Sequence, residues 1–108
     1  MQILRAAGHF AVPEGAANQY REHLRTPDLS IGTYCIPVGG KDGQDPHSED
    51  EVYVVLRGHG RLATVDGEFE VGPGTVVYVP AHEEHRFVDV SEDLSVVVVF
   101  APAERTRV

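Results

Sequence analysis

The chain has 108 residues, 42% of them hydrophobic, a formal net charge of −8 and a pI near 5.1. That length fits one compact domain with a real core, and the acidic balance excludes the basic surface that nucleic acid or an anionic membrane would need. A single cysteine, Cys35, excludes an internal disulfide; with no apolar leader after Met1 and no apolar run longer than Val96 to Ala101, the expected location is the cytoplasm.

Residues 1 to 29 carry the weakest signals. Gln2 to Arg5 reads as a short edge strand, and Glu14 to Arg25 as a polar stretch holding one short helical turn before Pro27. The segment is expected to be an arm packed along the sheet or onto a partner subunit. From Ser30 the texture changes. Ser30 to Ile36 is rich in β-branched and aromatic residues and reads as a strand, closed by Pro37 and Gly39-Gly40. Lys41 to Asp50 is a polar loop, and Glu51 to Leu56 a strand. Gly58-His59-Gly60 reads as a turn, with Arg61 to Val65 pairing back. Asp66-Gly67 is a hairpin turn before Glu68 to Val71. Thr75 to Val79, Arg86 to Val90 and Leu94 to Phe100 complete the strands, and residues 102–108 form a polar tail expected to fray. Seven or eight short strands with no helix-period segment predict an all-β sandwich or barrel. The domain is placed at 30–101, flanked by the arm (1–29) and the tail (102–108).

His47 and Glu51 are four apart, so in extended chain both side chains share a face. A neutral imidazole beside a carboxylate begins a divalent metal site, and His85 is the best candidate for a third ligand. Alternation places Tyr53 and Val55 on the face of Glu51, and Phe87 on that of His85. Tyr34, Tyr78 and Phe100 are further wall candidates. Among these, Tyr53 is the candidate catalytic residue, as a hydroxyl contacting substrate. His9, His23, His59 and His82 read as surface or loop histidines, His82 also as a rim residue. Glu49-Asp50 and Glu83-Glu84 are expected to face solvent, and Cys35 to be a buried small hydrophobe.

Two spaced motifs tie these residues together. The first runs Gly39, five residues, Asp45-Pro46-His47, three residues, Glu51, six residues, Gly58. The second runs Gly74, five residues, Pro80-Ala81-His82, two residues, His85, three residues, Asp89. Together they resemble the motif pair of the single-domain cupins. The resemblance implies a double-stranded β-helix, or jelly-roll barrel, holding one divalent ion (Fe, Mn, Ni or Zn) on His47, Glu51, His85 and a fourth ligand. Asp45 stands where the family usually has its first histidine. Gln44, in the loop before Pro46, is the alternative fourth ligand. His82 and Asp89 replace a glycine and an asparagine.

Such a fold hosts many chemistries, so two functional readings stay open. One is a metalloenzyme acting on an oxygen-bearing small molecule by dioxygenase, isomerase or lyase type chemistry. The other is a non-catalytic binding or sensor protein with a repurposed site. A purely structural jelly roll ranks third, because it leaves the placement of His47, Glu51 and His85 without a reason. A C2 homodimer is the expected assembly, with residues 1–5 or 30–36 as the open edge that pairs.

Overall fold

A computed structural model describes residues 1–43 and 45–105. Its six strands are β1 (Gln19–Arg25), β2 (Ser30–Ile36), β3 (Asp50–Thr64), β4 (Gly67–Val71), β5 (Val76–Val79) and β6 (His85–Ala101). All pairings are antiparallel, in the order β1-β2-β6-β3-β4, with β5 on β3. The protein is an all-β double-stranded β-helix. Among the described residues no helix is long and apolar enough to cross a membrane.

Six strands stand where seven or eight were expected: two pairs of predicted strands are continuous, residues 1–5 supply none, and Gln19–Arg25 adds one. β3 runs straight through Gly58-His59-Gly60, and β6 joins Arg86–Val90 to Leu94–Phe100. Their shared ladder slips register three times between Val55 and Arg61, and irregularities of this kind bend a strand pair. Gly58 sits at the bend with φ of 89°. A Cβ there would run into the Asp93 carbonyl oxygen, so only glycine lets β6 approach so closely. On one side of the bend β3 pairs with β5; on the other it pairs with β4. One continuous ladder therefore supplies both halves of the barrel.

The arm and the tail differ from expectation. Gln19–Arg25 forms an edge strand rather than a helical turn, and its pairing with β2 bulges between Glu22 and Leu24. β2 thereby lies between β1 and β6 and is not an open edge. Residues 1–5 form no strand. Gly8 N donates to Thr33 Oγ1 at 2.8 Å, tying the arm across the sheet. Arg57 lies over the Phe10 ring at 5.2 Å, a second tie. The tail docks as far as residue 105. Ala103 is fully buried, Glu104 N donates to Ser30 Oγ at 2.9 Å, and Arg105 N donates to Glu49 Oε1 at 3.1 Å.

Strand alternation gives the core its inward row: Tyr53 and Val55 on β3, Leu94, Val96, Val98 and Phe100 on β6, Tyr34 and Ile36 on β2. Carboxylates enter this interior where backbone donors await them. Asp42 accepts from the Tyr34 hydroxyl at 2.8 Å and from Phe87 N at 2.9 Å. Glu49 is buried, not solvent-facing, because it accepts from Ser48 Oγ and Arg105 N. Asp50 is half-buried and accepts from Ala81 N at 3.0 Å. Glu83 and Glu84 do face solvent. A further bond, from His82 N to His47 O at 2.7 Å, stitches the loop before β3 to the loop before β6. These bonds fix Asp42 and residues 47–50 against the barrel.

Asp42→Ala should therefore lower unfolding stability by about 2–4 kcal/mol in urea denaturation, since two buried donors lose an acceptor. Asp42→Asn, which keeps one acceptor oxygen, should lose about half as much.

Candidate metal centre

Three side chains converge at one end of the barrel. Glu51 is the second residue of β3 and points inward by the alternation that buries Tyr53 and Val55. His85 opens β6. His47 lies near the end of the loop that leads into β3, three residues before Asp50. Their donor atoms all lie within 4.8 Å of one another. His85 Nε2 is 2.9 Å from Glu51 Oε1, and His47 Nδ1 is 3.9 Å from the same oxygen. The side chains of Glu51 and His85 are each 1% exposed, that of His47 12%.

The second nitrogen of each ring is held from outside the cluster. His85 Nδ1 donates to the Glu83 carbonyl at 2.8 Å, so Nε2 faces inward, 3.0 Å from the Tyr53 hydroxyl. His47 Nε2 lies 3.1 Å from Glu104 Oε2, so Nδ1 faces inward. There the donors lack partners: His47 Nδ1 and both Glu51 oxygens are buried without a hydrogen bond of good geometry. Orphaned buried polar atoms are costly. A carboxylate oxygen 2.9 Å from an imidazole lone pair also requires positive charge between them, a proton or a metal cation. Burial alone would lower the His85 pKa, but Glu51 and the Glu83 carbonyl outweigh it, and the net shift is upward. Two imidazoles and one carboxylate suit Fe, Mn, Ni or Zn. A cation about 2.1 Å from each donor needs donors roughly 3–4 Å apart, and the separations of 2.9 Å and 3.9 Å lie at the two ends of that spacing. The residues present fit a divalent ion.

Beside the cluster opens a cleft of about 870 Å³, lined by Tyr20, Tyr34, His47, His82 and Phe100 among others. Tyr20 reaches over Gly32, where a Cβ would collide with its hydroxyl. That hydroxyl is buried without a partner. Burial and the nearby Glu104 push its pKa well above the usual phenol range, so it stays protonated. The remaining predicted residues scatter. Asp45 is exposed and lines the cleft, but is outside the three-residue cluster. Gln44 lies outside the described residues. Tyr53 is fully buried against His85. His82 lines the rim with φ of 69°. His59 is exposed and pairs with Glu92 at 2.6 Å. His9 is exposed, and His23 contacts Thr33 Oγ1 at 2.6 Å. Cys35 is buried, and Tyr78 faces solvent. Sequence reasoning missed Asp42, Glu104 and Tyr20. Each is one polar residue in a polar stretch, and no spacing rule marks it.

The Cupin domain family matches residues 32–101. The chain belongs to the cupin family. An uncharacterized protein of Streptomyces coelicolor is 44% identical to this cupin over 93 residues, covering 84% of this chain and 89% of that one. A glucose-6-phosphate isomerase of Pyrococcus furiosus is 39% identical over 59 residues, but those span 50% of this chain and 31% of the isomerase. Among solved structures, an RmlC-like cupin from Desulfovibrio desulfuricans superposes with a TM-score of 0.79 at 17% identity, covering 95% and 98% of the two chains. The polyketide cyclase RemF from Streptomyces resistomycificus gives 0.73 at 18% identity, covering 97% and 81%. At such identities the structures share a fold and nothing more specific. The cupin relatives include enzymes, so family membership admits catalysis without assigning a reaction.

In chelator-treated protein, the His85 pKa measured by NMR should lie above the ordinary imidazole value, and Glu51→Gln should lower it. Because the folded pKa is raised, the pair's stability contribution is complete below the unfolded imidazole pKa. It should fade as pH rises through the folded value.

Proposed function

We propose that this cupin binds one divalent metal ion through His47, Glu51 and His85, and acts on an oxygen-bearing small molecule held in the adjoining cleft. The observation that carries the reading is the set of three buried donors, two of them without hydrogen-bond partners, converging from two distant segments. Asp45 or Gln44 would complete the ligand set. Asp45 is exposed and lines the adjoining cleft, so it would reach the ion only if its loop turned inward.

A divalent ion bound there supplies Lewis-acid polarisation of a substrate oxygen. The chain supplies the rest. Phe100 packs on the His47 ring, with centroids 4.6 Å apart, and excludes water from that side. Tyr53 holds a hydroxyl 3.0 Å from His85 Nε2, within reach of a ligand that contacts the cluster. Tyr20, which lines the cleft, offers a neutral hydroxyl. One proton donor of this kind serves an isomerase or a lyase equally well, so the reaction class is set by the substrate. Dioxygenase chemistry would require a redox-active ion in the same place. The second reading, a non-catalytic binder, draws on Asp45: an exposed carboxylate replaces a histidine at the edge of the site. A cytoplasmic homodimer completes the proposal for either reading.

Protein purified without chelator and offered Mn, Fe, Ni or Zn should take up one equivalent per chain by metal analysis. His47→Ala and His85→Ala should each lower the affinity by more than the 10–100-fold typical of an outer partner. Affinity should also fall as pH drops through the histidine range, because a proton on either imidazole competes with the ion. No uptake by wild-type protein under saturating conditions sinks the proposal. Turnover of carbonyl, diphenol or sugar-acid compounds by loaded protein separates enzyme from binder.

A further inference from the structure

We propose that Glu104, beyond the end of β6, is a positioning residue: it fixes the His47 imidazole in the tautomer that turns the Nδ1 lone pair toward Glu51 and His85. The inference rests on the metal-binding reading for its consequence, but not for its geometry. Glu104 Oε2 lies 3.1 Å from His47 Nε2, and the two side chains are 13% and 12% exposed. A carboxylate only accepts hydrogen bonds, so Nε2 carries the proton. A neutral ring then has its lone pair on Nδ1, the buried atom without a partner. Phe100 packs against the ring, with centroids 4.6 Å apart and planes tilted by 48°, and restricts its rotation.

The comparison with His85 gives the argument its force. The two rings turn opposite nitrogens toward the cluster, so they need opposite tautomers. His85 has its tautomer set by a backbone carbonyl, that of Glu83. For His47 Nε2 a side chain from a distant segment takes the part. That side chain is itself anchored. Glu104 N donates to Ser30 Oγ, Ala103 on one side is fully buried, and Arg105 on the other donates its N–H to the buried Glu49. The Arg105 side chain, 83% exposed and 3.9 Å from Glu104 Oε2, competes only weakly for that oxygen. Partners of this kind orient a ligating histidine and raise its basicity, and losing one typically costs 10–100-fold in metal affinity.

The experiment uses the full chain, with ¹⁵N-labelled histidine, as wild type, Glu104→Ala and Glu104→Gln. Long-range ¹H–¹⁵N correlation of chelator-treated protein at pH 8 reads each ring's tautomer. The proton of His47 should sit on Nε2 in wild type and in Glu104→Gln, whose amide oxygen still accepts. It should distribute over both nitrogens in Glu104→Ala, while His85 stays unchanged in all three. Calorimetric Zn or Mn binding should weaken about 10–100-fold in Glu104→Ala and less in Glu104→Gln. A wild-type His47 protonated on Nδ1 overturns the proposal, and that spectrum decides alone if Glu104→Ala fails to fold. An unchanged tautomer together with unchanged affinity in Glu104→Ala overturns it equally. If wild type takes up no metal, the functional reading falls, while the tautomer spectra still decide the role of Glu104.

Discussion

The bend in the β3–β6 ladder is the constraint on which the site depends. Glu51 pairs across that ladder with Phe100, and His85 with Thr64 at its far end. In a flat ladder about 15 residues of β6 would separate His85 from the partner of Glu51, roughly 50 Å at 3.3 Å per residue. The side chains instead meet at 2.9 Å. Gly58 and the register slips around it fold the ladder over, so its two ends face each other across the barrel mouth. The bonds from His82 N to His47 O and from Ala81 N to Asp50 then hold the two loops together there.

Placing Glu51 and His85 in that interior is electrostatically expensive, and the structure shows how the cost is offset. A buried carboxylate needs either a cation or several donors. Asp42 and Glu49 have donors, from the Tyr34 hydroxyl, Phe87 N, Ser48 and Arg105 N. Glu51 lacks well-aligned ones and relies on positive charge at His85 or between the two. Three buried acids in one small barrel thus divide by their partners. Two hold loops in place, and the third keeps its oxygens available for a ligand.

Fold and site bear differently on function. The cupin barrel supplies a rim at which the donors converge here, and a shared fold does not fix an activity. Around the rim of this chain lie an aspartate at position 45, a tyrosine spread over Gly32 and a tail that returns to meet His47. They do not alter the barrel, because none of them replaces an inward residue of the central strands.

Much of this was legible before any coordinates. Period-two alternation marked Glu51, Tyr53 and Val55 as one face, because a strand leaves its side chains no other choice. The spacing of His47, Glu51 and His85 within two motifs pointed to the barrel and to the convergence. The errors have a common cause. Gly58-His59-Gly60 read as a turn and Glu14–Arg25 as a polar stretch holding one short helical turn, since local propensity cannot tell a bent strand from a broken one, or see a partner such as β2. Glu49 and the tail read as solvated for the same reason. By itself, the sequence determined which residues alternate inward and which residue types could ligate. Only the tertiary structure decided that Asp42 and Glu49 are buried and that the half-buried Glu104 meets His47, because a carboxylate's placement depends on partners that arrive from distant parts of the chain.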